Sequence, residues 1–140
     1  MKLLIINGPN INMLGTREVN IYGNNTYKDL VKYLKQIAKK HKIKMQIFQS
    51  NHEGRIIDKI QKAKKFDGLI INPGAYTHYS HAIADAIRSI NSNAVEVHLS
   101  DIMNREEFRK KSVVTDACVA TFMGKGFESY YLGIKYLIGV

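Results

Sequence analysis

Short apolar runs alternate with amphipathic stretches from one end of the chain to the other. Within each run nearly every position is hydrophobic, which is typical of β-strands that are buried on both faces. Between the runs, hydrophobic residues recur every three or four positions, which is typical of helices with one buried face. This alternation predicts an α/β protein with a parallel sheet. The five predicted strands are residues 3–7, 45–49, 69–72, 94–98 and 118–123.

The helical patterns fill the connections between these strands. The two longest cover residues 27–38 and 127–138, and shorter ones cover about 54–65 and 79–90. Crossovers between parallel strands are right-handed, so few topologies remain. We expect a flavodoxin-like doubly wound sheet of strand order 2-1-3-4-5 with helices on both faces. A ligand site in such a sheet lies beyond the carboxyl ends of the strands, where the winding reverses between strands 1 and 3.

Length and composition predict one folded domain. The 140 residues are 45% hydrophobic and 24% charged, and no linker or repeat interrupts them, so we assign residues 1–140 to a single domain. No apolar run approaches the roughly 20 residues that span a bilayer, and the N-terminus lacks the apolar core of a signal peptide. We therefore expect a cytoplasmic protein that does not bind membranes. Cys118 lies in an apolar run, which favours a buried small side chain over a reactive thiol.

The formal net charge of +9 raises nucleic acid as a candidate partner, but it would equally attract a small anionic substrate. Charge by itself does not separate the two. The lysines fall on the polar sides of the helical patterns at 27–38 and 54–65, without interleaved aromatic residues on which bases could stack. We therefore expect no nucleic-acid partner.

The connection after the first strand is unusually long. It covers residues 7–25, whereas α/β connections normally take about two to six residues. Arg17 and Tyr22 place a cation and a phenol five positions apart in this segment. A long connection often carries function. The spacing alone also fits a surface loop that holds an arginine and a packed tyrosine.

Asn72 and His78 follow the third strand in a turn that leads into a helix, and both can form hydrogen bonds with hydroxyl groups. His81 comes one helical turn after His78. With His98 as a third ligand these histidines form an alternative zinc set, although a structural role for His81 is the simpler interpretation. Asp85, one further turn along, either faces the cleft or lies on the solvated side of the helix.

A candidate proton donor lies on the fourth strand. Because side chains alternate along a strand, Glu96 and His98 share one face. A carboxylate orients a neighbouring imidazole and stabilises its protonated form, which makes the pair a candidate general acid. The residues that follow offer donors for a bound carboxylate: Leu99, Ser100, Arg105 and Arg109.

Five motifs occur in order along the chain. They are NGPNINMLG at 7–15 with Arg17-Glu18 and Ile21-Tyr22-Gly23 after it, QSNHEG at 49–54, NPGAYTH at 72–78, EVHLS at 96–100 and REEFR at 105–109. In this order and spacing they resemble the type II 3-dehydroquinate dehydratases over nearly the whole chain. Val19 and Asp101 stand where many members have proline and asparagine, at positions to which the family assigns no chemistry.

The resemblance implies a lyase of the shikimate pathway that removes water from 3-dehydroquinate by anti elimination, through an enolate, to give 3-dehydroshikimate. By the family's pattern, Tyr22 is the base, and Arg17 stabilises its phenolate. Asn12 helps to stabilise the enolate oxygen, and His98, oriented by Glu96, protonates the leaving hydroxyl. The implied substrate contacts are Asn72, His78 and Asp85 to ring hydroxyls, and Leu99, Ser100 and Arg109 to the carboxylate.

The resemblance also implies that the reaction needs neither a metal ion nor an organic cofactor, and that the enzyme is a homododecamer built as a tetramer of trimers. A flavin- or nucleotide-binding domain of the same fold is the alternative. It would need a phosphate-binding loop, and Gly8-Pro9-Asn10 after the first strand has neither the G-x-G-x-x-G pattern nor a P-loop lysine. A signalling receiver domain would need an aspartate where the third strand ends in Asn72.

Overall fold

The computed structural model describes residues 1–16, 24–90 and 92–140. Five parallel strands form one sheet in the order β2-β1-β3-β4-β5, which confirms the predicted flavodoxin-like doubly wound fold. The strands are β1 (Lys2–Asn7), β2 (Lys44–Gln49), β3 (Gly68–Asn72), β4 (Ala94–His98) and β5 (Ala120–Met123).

Helices cover both faces of the sheet and form two cores. Alternate residues of β1 point into opposite cores. Leu3 and Ile5 belong to the core under the first and last helices, and Leu4 and Ile6 belong to the core under the second and third helices. None of the helices in the described ranges is long and apolar enough to cross a membrane. Those helices are α1 (Tyr27–His41), α2 (Glu53–Gln61), α3 (His81–Ser89), the short α4 (Glu107–Lys110) and α5 (Glu128–Ile138).

The sheet edges depart from the predicted pattern of full burial. β1, β3 and β4 are almost wholly buried, but β2 and β5 are only half-buried because each has a neighbouring strand on one side only. β5 begins at Ala120 and not at residue 118, since a 3-10 turn over Thr115–Ala117 precedes it. Cys118 is half-buried, and burial followed by the nearby charge of Glu96 raises the pKa of its thiol to about 12, in keeping with an unreactive side chain.

The helix after β3 starts later than the pattern predicted. α3 begins at His81, where the Ser80 hydroxyl accepts a hydrogen bond from the N–H of Ile83 at 3.1 Å. The residues before it, Gly74–His78, form a 3-10 turn. Two glycines let this turn meet the loop after β1. A Cβ at position 8 would lie 2.5 Å from the carbonyl oxygen of Pro73, and Gly74 has a φ of +60°.

Candidate active site

A pocket opens at the carboxyl ends of β1, β3 and β4, where the strand order predicts a ligand site. Its volume is about 140 Å³, below the roughly 300–1,000 Å³ of pockets that hold drug-sized ligands. The described part of the pocket therefore suits a small molecule better than a dinucleotide. The predicted site residues that line it are Asn72, His78, His98, Leu99, Ser100 and Arg109.

Asn72 is held by a buried hydrogen-bond network. Its Oδ1 accepts from the N–H of Gly74 at 3.1 Å, and its Nδ2 donates to the Tyr130 hydroxyl at 2.9 Å. Tyr130 in turn donates to Oδ1 of Asn7 at 2.6 Å. Burial raises the pKa of Tyr130, so its hydroxyl stays protonated and able to donate. Since an amide nitrogen has two hydrogens, Asn72 retains one N–H for a ligand hydroxyl.

The motif around Gln49 supports the loop after β1. Nε2 of Gln49 donates to the Gly8 carbonyl at 3.2 Å and to Oδ1 of Asn12 at 3.3 Å. Asn51 accepts from the N–H of Asn10 at 3.0 Å, at a position where the backbone has a φ of +68°. Asn12 is exposed and does not line the pocket, so the structure brings it to the same loop cluster but not into the cleft.

Glu96 and His98 lie on the same face of β4, as predicted. Glu96 is fully buried, and His98 is 5% exposed. Nε2 of His98 lies 2.6 Å from Oε2 of Glu96. Because a carboxylate only accepts hydrogen bonds, Nε2 carries the proton of this bond. Nδ1 is then the nitrogen that can serve a ligand in the pocket.

Hydroxyl groups from the surrounding segments also form hydrogen bonds with the carboxylate of Glu96. Burial alone would raise the pKa of Glu96, but the hydrogen bond and charge of His98 and the hydroxyl bonds outweigh it and lower that pKa to about 2. Glu96 is therefore ionised at neutral pH and stabilises a protonated imidazole. The hydroxyls are those of Thr77 and Ser112, each 2.8 Å from Oε2, and of Thr115 at 2.6 Å and Thr121 at 3.3 Å from Oε1.

His78 has the opposite arrangement of ring nitrogens from His98. Its Nδ1 lies 2.7 Å from the Lys111 carbonyl, which can only accept, so Nδ1 carries a hydrogen and Nε2 of the neutral ring is an acceptor. Burial lowers the pKa of His78, and although the Lys111 carbonyl works against this, the charges of Arg109, His98 and Arg105 lower it further. A neutral His78 can accept a hydrogen bond from a ligand hydroxyl.

Two arginines line the pocket, Arg105 and Arg109. Nε of Arg109 donates to Glu106 at 2.6 Å, and Arg105 lies 3.4 Å from the hydroxyl of Ser100. No carboxylate is among the described residues that line the pocket, which therefore suits an anionic ligand. The residue pattern predicted both arginines as candidates for a bound carboxylate and the resemblance singled out Arg109; in the structure both line the pocket.

Asp85 is apart from the pocket of its own chain. The sequence left open whether Asp85 faces the cleft or the solvent, and in the structure it faces the solvent. Its side chain is 77% exposed and pairs with Arg88 at 3.3 Å. α3 buries Ile83 and Ile87, which turns Asp85 outward. The structure therefore does not bring Asp85 together with the other predicted contacts.

The histidines of the alternative zinc set do not share a helix. His78 ends a 3-10 turn, whereas His81 opens α3 and is exposed. Within residues 1–16, 24–90 and 92–140, no cluster of three or more His, Cys, Asp or Glu side chains is arranged to hold a metal ion. The predicted base and its partner, Tyr22 and Arg17, lie outside the described residues.

The doubly wound sheet and its cation-lined pocket, backed by a buried carboxylate–imidazole pair, define an α/β enzyme for acid–base chemistry on a small anionic substrate. The family model described as "Dehydroquinase class II" matches residues 1–138. The chain belongs to this family.

Individual relatives agree. The 3-dehydroquinate dehydratase of Clostridium acetobutylicum is 56% identical over 138 residues, which cover 98% of this chain and 96% of that protein. The enzyme of the same name from Clostridium beijerinckii is 54% identical over 139 residues, with 98% and 95% covered. The solved type II dehydroquinase from Butyrivibrio crossotus superposes with a TM-score of 0.97 at 50% identity and covers 99% of this chain and 97% of that one. The predicted enzyme class is thereby confirmed, and the flavin- or nucleotide-binding alternative is not supported.

Proposed function

We propose that this chain converts 3-dehydroquinate to 3-dehydroshikimate by anti elimination of water through an enolate, with its own side chains in the roles that the family resemblance implies. The observation that carries the proposal is the buried Glu96–His98 pair, whose imidazole lines a pocket that also contains two arginines. The pair supplies a proton donor, and the arginines supply a binding site for the substrate carboxylate.

The reaction begins at the carbon beside the ketone. Tyr22, as a phenolate stabilised by Arg17, takes a proton from this carbon, and the C–H electron pair passes into the enolate. Asn12 stabilises the enolate oxygen through a bound water. When the enolate collapses, its electron pair forms the C=C bond, and the C–O bond on the adjacent carbon breaks. The leaving oxygen takes the Nδ1 proton of His98 and departs as water.

The hydrogen-bond directions in the pocket support distinct roles for the substrate contacts. Asn72 offers an N–H donor and His78 a lone-pair acceptor, so the two side chains can hold different ring hydroxyls. The backbone amides of Leu99 and Ser100, the Ser100 hydroxyl and Arg109 bind the carboxylate. We add Arg105 to this group because it also lines the pocket.

Apart from the water bound by Asn12, every group in this mechanism is a side chain or a backbone amide, so we propose that neither a metal ion nor an organic cofactor takes part. Adding 3-dehydroquinate to the purified protein is expected to produce the absorbance of the conjugated enone. Activity should persist after exhaustive chelation, and after borohydride treatment in the presence of substrate, because no metal or imine lies on the path. Activity that disappears with a chelator and returns with zinc would contradict this mechanism.

The proton donor is tested by His98→Ala. We expect kcat to fall by about 10²–10⁴-fold, with KM little changed, because a general acid acts mainly in the transition state. His81→Ala is the matched control, since His81 is exposed and does not line the pocket. An unchanged kcat with a raised KM in His98→Ala would reduce His98 to a binding residue.

A further inference from the structure

We propose that Thr115 and Ser112 are positioning residues whose hydroxyl groups keep the Glu96 carboxylate charged and aimed at His98. The inference rests on the proposed function, because it concerns the proton-donating half of that reaction. Both residues belong to the segment after α4, residues 111–115, and neither lines the pocket. They would act on the substrate only through Glu96 and His98.

Among the described residues, the groups that form hydrogen bonds with the Glu96 carboxylate are donors. Oε2 lies 2.6 Å from Nε2 of His98 and 2.8 Å from the Ser112 hydroxyl, and Oε1 lies 2.6 Å from the Thr115 hydroxyl. Thr77 and Thr121 also lie within hydrogen-bonding distance, so five groups surround the roughly four lone-pair sites of the carboxylate. The Thr77 and Ser112 oxygens lie 2.7 Å apart, and a hydroxyl that donates to the other does not donate to Oε2 at the same time. A protonated Glu96 would bring its own O–H into this ring of donors and displace one of them.

The two proposed residues are held in place by different contacts. The Ser112 oxygen accepts from the N–H of Val114 at 3.2 Å, which directs the serine hydrogen away from that amide and leaves it free to donate to Oε2 of Glu96 at 2.8 Å. Thr115 makes the shortest hydroxyl contact to Oε1, at 2.6 Å against 3.3 Å for Thr121. Loss of the Thr115 hydroxyl should therefore matter more than loss of the Thr121 hydroxyl.

The charge of Glu96 decides what His98 can do. With Glu96 ionised, Nε2 keeps its proton in the bond to the carboxylate, and a second proton on Nδ1 makes an imidazolium that can protonate a leaving oxygen. With Glu96 protonated, the neutral imidazole that remains is a far weaker acid. The hydroxyls thus protect the proton-donating form of His98 without touching it.

The segment 111–115 serves the second imidazole of the pocket as well. The Lys111 carbonyl accepts from Nδ1 of His78 at 2.7 Å, and the N–H of Val113 donates to the Thr77 carbonyl at 2.8 Å. One short stretch of chain therefore fixes the ring that accepts from a substrate hydroxyl and the carboxylate behind the ring that donates a proton.

Other titratable and charged groups belong to the segments near Glu96 and to the lining of the pocket that contains His98. Burial and the charge of Glu96 raise the pKa of Cys118 to about 12, so this neighbour is a neutral thiol at pH 7. The remaining groups are Arg88 near Cys118, the exposed Asp116 after Thr115, and His78, Arg105 and Arg109 on the pocket side.

Thr115→Val and Ser112→Ala test the proposal, with Glu96 observed directly. In protein labelled with 13C-glutamate, the Glu96 carboxyl signal is identified by its absence in Glu96→Gln and followed as the pH falls. Each variant loses one charge-assisted hydrogen bond, so we expect the Glu96 titration to move up by about one to two pH units. On the acid side of the dehydration profile, kcat should fall about tenfold with KM within about twofold.

Three controls separate this role from a general effect on the fold. Thr115→Ser keeps the hydroxyl and should restore the parent titration and kcat. Thr121→Val should move the titration less than Thr115→Val. Ser89→Ala removes a hydroxyl that bonds to the Ala86 carbonyl on α3, and it should change nothing.

The carboxyl titration also separates this proposal from the proposed function. If Glu96 titrates in both Thr115→Val and Ser112→Ala as in the parent chain, the positioning role is wrong, whatever happens to the rate. If the parent chain fails to dehydrate 3-dehydroquinate, the proposed function fails, and the titration still decides whether these hydroxyls keep Glu96 charged.

Discussion

The two imidazoles of the pocket are bound by different partners. His98 donates to the carboxylate of Glu96, and His78 donates to the neutral carbonyl of Lys111. A carboxylate favours the imidazolium strongly, whereas the Lys111 carbonyl fixes the tautomer of His78 and raises its pKa by less than burial lowers it. These partners fit His98 for its proposed role as proton donor and His78 for its proposed role as hydrogen-bond acceptor.

The lowered pKa of His78 predicts a pH dependence of substrate binding. Above that pKa the ring is neutral, and Nε2 can accept from a hydroxyl of the substrate. As the pH falls through the pKa, Nε2 gains a proton and can no longer accept. We therefore expect KM to rise on the acid side, below the ordinary histidine range of about 6.5. In His78→Gln, whose amide does not titrate, this rise in KM should be smaller. An equal rise in both proteins would assign it to another group.

The base is tested at Tyr22 and Arg17. Tyr22→Phe removes the phenolic oxygen, so kcat should collapse while the fold and much of the substrate affinity remain. Arg17→Ala leaves the oxygen but withdraws the charge that favours the phenolate, so its residual activity should rise with pH as the phenol approaches its ordinary ionisation near pH 10. A pH profile that does not move in Arg17→Ala, or a near-normal kcat in Tyr22→Phe, would leave the base unidentified.

For individual residues, the sequence predicts the contacts that depend only on neighbouring positions in one element. Glu96 and His98 are two positions apart on a strand, so alternation alone places them together. The partners of Glu96 and Asn72 have no such signal. Thr115 is 19 positions from Glu96, and Tyr130 is 58 positions from Asn72, so both contacts depend on how separate elements pack.

The close approach of the β1 loop and the turn after β3 is the feature of the elements that most directly shapes the pocket. A Cβ at position 8 would meet the Pro73 carbonyl oxygen at 2.5 Å, and backbone on both sides leaves no flexible side chain to move aside. Gly8→Ala should therefore lower the free energy of unfolding by about 1–3 kcal/mol and raise KM, because Pro9 and Asn10 would move with the loop.

Gly54 provides the matched control for this substitution. It lies in the first turn of α2, and a Cβ there would meet nothing within 4 Å. Gly54→Ala is expected to leave KM unchanged and to stabilise the protein by about 0.4–1 kcal/mol. Denaturant unfolding of both variants, compared with their kinetics, checks the pair, and equal stability of the two would contradict the role assigned to Gly8.

The elements themselves followed from the sequence where the pattern was strong. The bounds of β4 agree with the apolar run, because its residues are buried throughout. β5 and α3 both start later than predicted, since the first residue of each predicted element closes the preceding 3-10 turn: the N–H of Cys118 donates to Thr115, and the N–H of Tyr79 donates to Tyr76. The four-residue α4 carries Arg109 but is too short to show a helical period.

The outward position of Asp85 bears on the assembly of the whole molecule. The resemblance implies both a substrate contact by Asp85 and a homododecamer, while in its own chain Asp85 is solvated. We therefore predict that Asp85 contacts substrate bound to another copy. Sedimentation should give a mass of about twelve times the 15.9 kDa of the chain.

Mixed assemblies test the contact between copies. Chains with His98→Ala and chains with Asp85→Ala should each be impaired, and refolding them together should give more activity than the sum of the two, because some sites then combine an intact His98 with an intact Asp85. If the mixture shows only that sum, Asp85 does not act across copies.

The cytoplasmic location and the absence of a nucleic-acid partner stay predictions.

The hydrogen bond between Tyr130 and Asn7 joins positions 123 apart in the chain. Closing so long a loop costs conformational entropy before any contact can form. A nascent chain that has left the ribosome only as far as α4 already contains all of the described residues that line the pocket, the last of which is Arg109. It still lacks the tyrosine that fixes Asn7 and Asn72. Substrate binding is therefore a property that the growing polypeptide acquires last, when its final helix packs on β3, β4 and β5 and brings the Tyr130 hydroxyl to Asn7 and Asn72.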